Sequence, residues 1–256
     1  MAVKNYLHTA YAYSADGTDG FTTVYPNLNL IDGTRDFSGD WWNFDGWETD
    51  GTYKGLTVKK RTDISSGLLK TFTAPKNGVY TNSIYIKASG DGIVRRWVNK
   101  NWSDTTSDIG SNFDWRIETY TVTLKAGDTF HVRYELISNS GNSEISVAGY
   151  KVEEGSVATP YMPSKSEVTT ADWPKYLGTY VDTNPTSSIE PSKYVWDEMK
   201  YRVYLDGTPV GGSKLLSFDL ENLKAGTSYN VQVSQINGNI ESDKSESITF
   251  KTTLQK

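Results

Sequence analysis

Cysteine is absent from the 256 residues, and histidine occurs only as His8 and His131. The first absence excludes disulfides, thiolate zinc sites and cysteine nucleophiles, and the second excludes metal sites built from several histidines. No apolar run approaches the roughly 20 residues that a membrane helix needs, so we expect no membrane insertion. The net charge of −5 argues against a surface for nucleic acid.

Signals for secretion and for catalysis are also missing. The segment from Met1 to Tyr6 has one lysine and no apolar run, so we expect synthesis in the cytoplasm without a signal peptide. There is neither a nucleophile elbow nor a phosphate-binding glycine loop. The 31 acidic residues leave a glycosidase-type carboxylate pair open, but the sequence brings no particular pair together. We therefore do not expect an enzyme.

Aromatic residues are abundant in an otherwise polar chain. They make up 13% of a sequence whose hydrophobic fraction is 36% and whose mean hydropathy is −0.55. This composition favours β-structure with aromatic surfaces over a helical bundle.

The pattern along the chain predicts an all-β protein. Residues 27–163 alternate with a period of two between turn signals, which is typical of a two-sheet sandwich or jelly roll. Residues 164–196 are rich in Pro, Ser and Thr and predict a connector, and residues 197–256 predict a smaller all-β domain whose first hairpin turns at Asp206-Gly207. Residues 1–26 predict a linking or docking segment. Its Asp16 and Asp19 are typical of a turn rather than of a twelve-residue calcium loop.

The strand faces indicate a candidate binding surface. If the alternate apolar residues fill the core, their neighbours point outward. A flat indole among planar polar groups suits a pyranose, which stacks on the ring and hydrogen-bonds through its hydroxyls. The alternative is an ordinary solvated sheet face with one amphipathic Trp. The outward residues are Tyr85, Lys87, Arg95, Trp97, Asn99, His131, Arg133 and Glu135.

Two further Trp groups are candidates. Trp41, Trp42 and Trp47 lie within seven residues, and we expect at least one of them, Trp47 with Asp45, at the edge of the sandwich. The alternative is that all three pack on the core. Trp102 and Trp115 flank a polar stretch, residues 103–112, that predicts a loop, and each is open to either interpretation.

Several separated motifs carry a family resemblance. The run from Lys151 to Pro163, KVEEGSVATPYMP, resembles the closing strand of tail-associated carbohydrate-binding modules in phages of Gram-positive bacteria. The segments 29–39 and 70–81 are similar to their opening and middle strands, and pieces of residues 6–17 and 176–196 resemble linking segments of tail and baseplate proteins. The chain most resembles accessory baseplate proteins of lactococcal-type siphophages. Residues 201–229 more weakly resemble a fibronectin type III domain. The two strands that should precede residue 201 are not evident, so either residues 194–199 supply one shortened strand or the domain is irregular.

The resemblance implies a jelly-roll module in the virion that binds host wall polysaccharide or teichoic acid and assists adsorption, with other baseplate or tail proteins as partners. Lys87, Arg95 and Arg133 would then favour a phosphate-bearing polymer. The alternative is a structural adaptor of the tail that binds no saccharide. Related jelly rolls often carry a structural calcium ion, which makes calcium the one cofactor implied, without a readable ligand set.

Overall fold

The computed structural model describes residues 4–138 and 141–253 and is built of strands, as the sequence predicts. Two single-turn 3-10 helices, Thr170–Asp172 and Pro191–Lys193, are the helical elements of the described chain, and neither is long enough to cross a membrane. The strands are β1 (Tyr6–Ala12), β2 (Glu48–Tyr53), β3 (Leu56–Arg61), β4 (Phe72–Thr73), β5 (Gly78–Ser89), β6 (Val94–Lys100), β7 (Ser103–Gly110), β8 (Phe113–Leu124), β9 (Thr129–Leu136), β10 (Glu144–Glu154), β11 (Tyr176–Asp182), β12 (Val195–Glu198), β13 (Tyr201–Leu205), β14 (Thr208–Ser213), β15 (Ser228–Asn237), β16 (Ile240–Glu241) and β17 (Ile248–Lys251).

The chain divides into two compact units. Unit 2 comprises residues 28–168, and unit 1 comprises the segment before it together with everything from residue 169 onward. Unit 2 is therefore an insertion in the chain of unit 1. Its bounds lie close to the jelly-roll bounds of 27–163 expected from the sequence.

Unit 2 is a sandwich of two antiparallel sheets. One sheet has the order β2-β3-β10-β5-β8, and the other has the order β4-β9-β6-β7. Alternate apolar residues of both sheets fill the space between them, because successive side chains of a strand point to opposite faces. The core side chains of the second sheet include Val94, Val98, Phe130, Val132 and Tyr134.

A buried ion pair anchors the last strand of unit 2. Lys151 and Glu153 of β10 are both 0% exposed, and Lys151 Nζ lies 3.1 Å from Glu153 Oε1. Thr159 ties the pair to the following loop: its N–H and hydroxyl donate to Glu153 at 2.8 and 2.6 Å, and its hydroxyl accepts from Lys151 Nζ at 2.6 Å. Burial lowers the pKa of Lys151 to about 8. Tyr150 and Val152 pack in the core, so Lys151 and Glu153 lie on the opposite side of β10, where the pair fixes the loop that contains Thr159.

Unit 1 begins with a sheet that the sequence does not predict. β1 pairs along its whole length with β11, and β11 pairs with β12, so the N-terminal segment and the expected connector form one three-stranded sheet. An aromatic layer covers one face of this sheet: His8 stacks on Tyr180, and Gly178 leaves room for the Trp196 ring. Because residues 164–196 are rich in Pro and Ser, which are typical of loops, the sequence pattern does not indicate β11 and β12.

The C-terminal part of unit 1 forms one sheet of the order β14-β13-β15-β16, with β17 beside β15. The Asp206-Gly207 hairpin is confirmed, with positive φ at both turn residues. The fibronectin type III pattern requires two packed sheets, whereas the described residues after 200 form only this one. Its β13 face is held by a buried network in which Arg202, Tyr204 and Ser234 all donate to Glu241.

Candidate saccharide-binding site

The four-stranded sheet of unit 2 brings six of the predicted residues onto one outer surface. In the register of β6 with β9, Arg95 lies opposite Glu135, Trp97 opposite Arg133, and Asn99 opposite His131. The same side of β7 adds Asp104, Thr106 and Asp108, which lie opposite Asn99, Trp97 and Arg95. We call this surface the polar face; it consists of Arg95, Trp97, Asn99, Asp104, Thr106, Asp108, His131, Arg133 and Glu135.

Tyr85 and Lys87 do not belong to the polar face. Both are on β5, which lies in the other sheet, so the expectation that they share one surface with Trp97 is wrong. Strand alternation gives the direction of a side chain but not the sheet in which its strand lies. Lys87 Nζ lies 3.7 Å from a carboxylate oxygen of Asp114 on β8.

The charged groups of the polar face are paired within the chain. Arg95 holds Asp108 with two hydrogen bonds of 2.6 and 3.1 Å, and the guanidinium lowers the pKa of that carboxyl. Arg133 Nε donates to Glu135 Oε1 at 2.8 Å. Glu135 is only 6% exposed, because the loop before β4 lies against it and the Gly67 N–H donates to its carboxylate. Glu135 therefore lies on the outward side of β9, as the sequence predicts, but this loop covers it, and its carboxylate orients Arg133.

Trp97 lies at the centre of the polar face under a cation. The Arg133 guanidinium carbon is 4.7 Å from the centroid of the Trp97 ring. Trp97 Nε1 and His131 Nε2 are buried atoms for which the described part of the chain offers no hydrogen-bond partner. Burial, followed by the charge of Arg133, lowers the pKa of His131, so its ring is neutral at pH 7.

Trp102 stands at the end of the polar face, in the turn between β6 and β7. Lys100 pairs with Ser103, so the turn has two residues, Asn101 and Trp102, and both have positive φ, at 48° and 67°. The Trp102 side chain is 89% exposed. The turn is fixed from both sides: Asn99 Oδ1 accepts from the Trp102 N–H at 3.2 Å, and Asn101 Nδ2 donates to Asp128 at 2.9 Å.

The Trp41–Trp47 loop presents a different indole from the expected one. Trp47 is 6% exposed, and its Nε1 donates to the Ser66 carbonyl at 2.9 Å, so the prediction that Trp47 stands at the edge is wrong. Trp41 is also in the core, whereas Trp42 is 69% exposed. Asp45 is exposed beside Arg61, whose guanidinium donates to its carbonyl. The loop lacks a strand period that would give the direction of each ring.

The expected loop 103–112 is mostly strand. β7 covers residues 103–110, and the chain turns directly into β8, so the prediction of a loop is wrong there. Trp115 is half-buried and stacks on Tyr53, with ring centroids 4.2 Å apart. Tyr85 adds an edge contact to Tyr53. This aromatic cluster of Tyr53, Tyr85 and Trp115 lies on the outer face of the five-stranded sheet. No pattern in the sequence indicates that Tyr53 contacts the other two rings.

The structure offers no calcium ligand set at the expected turn. Asp16 Oδ1 accepts from Ser14 and from both the N–H and the hydroxyl of Thr18, which lowers its pKa to about 2. Asp16 therefore serves the turn. Among the described residues, no three Asp, Glu or His side chains are grouped closely enough to hold a metal ion.

Comparisons with known proteins identify the family. The family described as Minor structural protein 5-like, C-terminal domain (BppU-like_C), matches residues 174–232. A chain in the structure of the tripod (BppUct-A-L) from the baseplate of bacteriophage Tuc2009 is 47% identical, with 100% of both chains covered and a TM-score of 0.78.

More distant matches are carbohydrate-binding modules. A family 35 module from Clostridium thermocellum is 16% identical over 43% of this chain and 87% of its own, with a TM-score of 0.34. The CBM6cm-2 module of Cellvibrio mixtus lichenase 5A, in complex with cellotriose, is 14% identical over 52% of this chain and 99% of its own, also with a TM-score of 0.34. No curated protein matches the sequence. The full-length identity with the Tuc2009 protein shows that the chain belongs to the family of phage baseplate tripod proteins.

Proposed function

We propose that this protein is a non-catalytic component of a phage baseplate and that unit 2 binds saccharide on the host cell surface during adsorption. The observation that carries the proposal is the indole of Trp102, held out to solvent beside the polar face. Family membership supports the location in the virion, and the aromatic and polar chemistry of unit 2 supports the ligand class.

Trp102 occupies a position that normally favours glycine. Both residues of a two-residue turn of this kind need positive φ, and a non-glycine residue there costs about 1 kcal/mol. A bulky apolar side chain in such a turn, exposed to water, stabilises nothing in its own fold. Local strain of this kind is typical of functional positions, and stacking on a pyranose is a use for a rigid, exposed indole.

The polar face supplies hydrogen-bonding groups next to that indole. Asn99 and Asp104 are joined at 2.6 Å directly below the turn, and Arg95 with Asp108 follows along β6 and β7. Planar amide, guanidinium and carboxylate groups in fixed positions are suited to pairs of sugar hydroxyls. Because the face extends over the seven residues of β6, which span about 23 Å, it can contact several sugar units of a polymer.

The test is binding of the fluorescently labelled full chain to host cells, with purified wall polysaccharide as competitor. We expect Trp102→Ala to weaken binding about tenfold, the loss of one stacked ring, and Trp102→Phe to retain most of it. Trp42→Ala is the matched control, because it removes another exposed indole, 69% exposed, that lies outside the turn. Equal binding by wild type and Trp102→Ala, or a loss confined to Trp42→Ala, would refute this site.

Unit 1 carries a second proposed function, docking on other baseplate proteins. Leu7, Val181 and Val195 lie on one face of the β1-β11-β12 sheet and are exposed. The same unit has a groove of about 410 Å³, lined in part by Leu177 and Phe218. Exposed contiguous apolar surface of this kind marks protein interfaces. Membership in a tripod family supports another baseplate protein as the occupant.

Docking is tested by co-purification with the remaining baseplate proteins of the phage. We expect the double variant Leu7→Lys/Val195→Lys to lose co-purification and to keep polysaccharide binding. Ile248→Lys, an exposed apolar position on β17, serves as the control and should co-purify normally. Loss of assembly by the control but not by the double variant would refute docking through this face.

A further inference from the structure

The charge balance of the polar face bears on the kind of saccharide that it can take. The face carries two guanidinium groups, from Arg95 and Arg133, and three carboxylates, from Asp104, Asp108 and Glu135. His131 adds no charge at pH 7, because burial and Arg133 lower its pKa. Both guanidiniums are already bound to carboxylates of the chain.

The cation nearest the turn is also engaged. Lys100 Nζ donates to the Thr123 carbonyl at 2.7 Å and lies 3.8 Å from an oxygen of Asp128. The pKa of Asp128 is lowered, chiefly by the N–H of Lys125 and by Asn101, so this carboxylate is ionised. Lys87, the third cation expected to attract phosphate, lies on the other sheet. The carboxylates of Asp104 and Asp128 therefore contact Asn99 and Asn101 beside Trp102, and the Lys100 cation next to the turn is already engaged.

We propose that the polar face selects an uncharged, hydroxyl-rich stretch of wall polysaccharide over a phosphate-bearing one, an inference that rests on the proposed function. A phosphate near Arg95 or Asn99 would meet Asp108 and Asp104 at close range, and like charges in that position repel. Sugar hydroxyls, in contrast, can donate to those carboxylates and accept from free guanidinium N–H groups without breaking either ion pair.

Two further groups at the centre of the face carry no charge. They are the Trp97 indole and the His131 ring, whose Nε1 and Nε2 atoms are buried and have no hydrogen-bond partner among the described residues. The Arg133 guanidinium over the Trp97 ring has its Nε bound to Glu135 and retains other N–H groups. The centre of the face thus consists of uncharged rings and a guanidinium that is already paired, rather than of an open cationic pocket.

The experiment compares two probes on the full chain. Host wall polysaccharide is separated by anion exchange into an uncharged and a phosphate-bearing fraction, and the affinity for each is measured by titration calorimetry. We expect tighter binding of the uncharged fraction, with little change as NaCl is raised. The ratio of the affinity for the uncharged fraction to the affinity for the phosphate-bearing fraction should fall about tenfold in the double variant Asp104→Asn/Asp108→Asn. The control Asp114→Asn, an exposed carboxylate on the other sheet, should leave the ratio unchanged.

Three other results would contradict the inference. Preference of the wild type for the phosphate-bearing fraction, or a ratio that the double variant does not move, overturns the inference while the proposed function stands. Failure of the folded protein to bind either fraction overturns the proposed function and the inference with it.

Discussion

Replacement of Glu153 by Gln should destabilise unit 2 strongly, because it leaves the ammonium group of Lys151 buried without its counter-ion. Both side chains are fully buried, their charged atoms are 3.1 Å apart, and Glu153 also accepts two hydrogen bonds from Thr159. Breaking one partner of such a pair costs about 3–5 kcal/mol. The double variant Lys151→Met/Glu153→Leu removes both charges and leaves chiefly the Thr159 N–H without an acceptor, at about 1–3 kcal/mol.

The assay is guanidinium unfolding of the full chain, followed by Trp fluorescence. Unit 2 contains most of the tryptophans, so its transition is expected to dominate the signal. We expect Glu153→Gln to be less stable than the double variant. A cost below about 1 kcal/mol for Glu153→Gln, or a double variant that is no more stable than Glu153→Gln, would refute the conclusion that the buried charge of Lys151 depends on Glu153.

Three further predictions concern other parts of the chain. Trp102→Gly should be about 1 kcal/mol more stable than Trp102→Ala, since only glycine relieves the positive φ, while both should weaken saccharide binding about tenfold; equal unfolding midpoints would contradict this. The pKa of His131 is lowered in the folded state, so the unfolded chain binds more protons below pH 6.5, and the free energy of unfolding falls as the pH drops through that value. NMR titration of His131 should give a midpoint below that of a model histidine. His131→Asn should make the free energy of unfolding less dependent on pH in this range. Gly149→Ala should destabilise unit 2 by about 1–3 kcal/mol, because φ is 62° and a Cβ would lie 2.6 Å from Leu56 Cδ1. Gly55 also has positive φ, but a Cβ there would meet open space, so Gly55→Ala should cost less in the same thermal melt.

The strand faces of unit 2 could be predicted from the sequence because each strand has one buried side. Val94 and Val98 identify the inner side of β6, which leaves Arg95, Trp97 and Asn99 outside. Alternation does not specify which strands are neighbours. The expectation that β6 and β9 share one outward surface is therefore correct, whereas the assignment of β5 to the same surface is wrong.

Segments without an apolar period could not be predicted. β7 has the sequence SDTTSDIG, and an edge strand exposed on both sides needs no alternation, so its composition resembles that of a loop. In the Trp41–Trp47 loop no period exists, and the burial of Trp47 depends on the distant Ser66 carbonyl. The pairing of β1 with β11 joins residues about 170 positions apart, a separation at which local propensity carries no information.

The insertion of unit 2 within unit 1 has a consequence for how the chain can exchange this module. The two ends of unit 2 lie side by side: Asn29 bridges to Ser164, and the Asn29 N–H donates to the Pro163 carbonyl at 3.0 Å. A module with adjacent ends can be exchanged without altering the path of the surrounding chain. Recombination that replaces the codons for residues 28–168 would give the chain a different module while the strands of unit 1 remain unchanged, and a chimaera with a short linker at this junction should retain a folded unit 1.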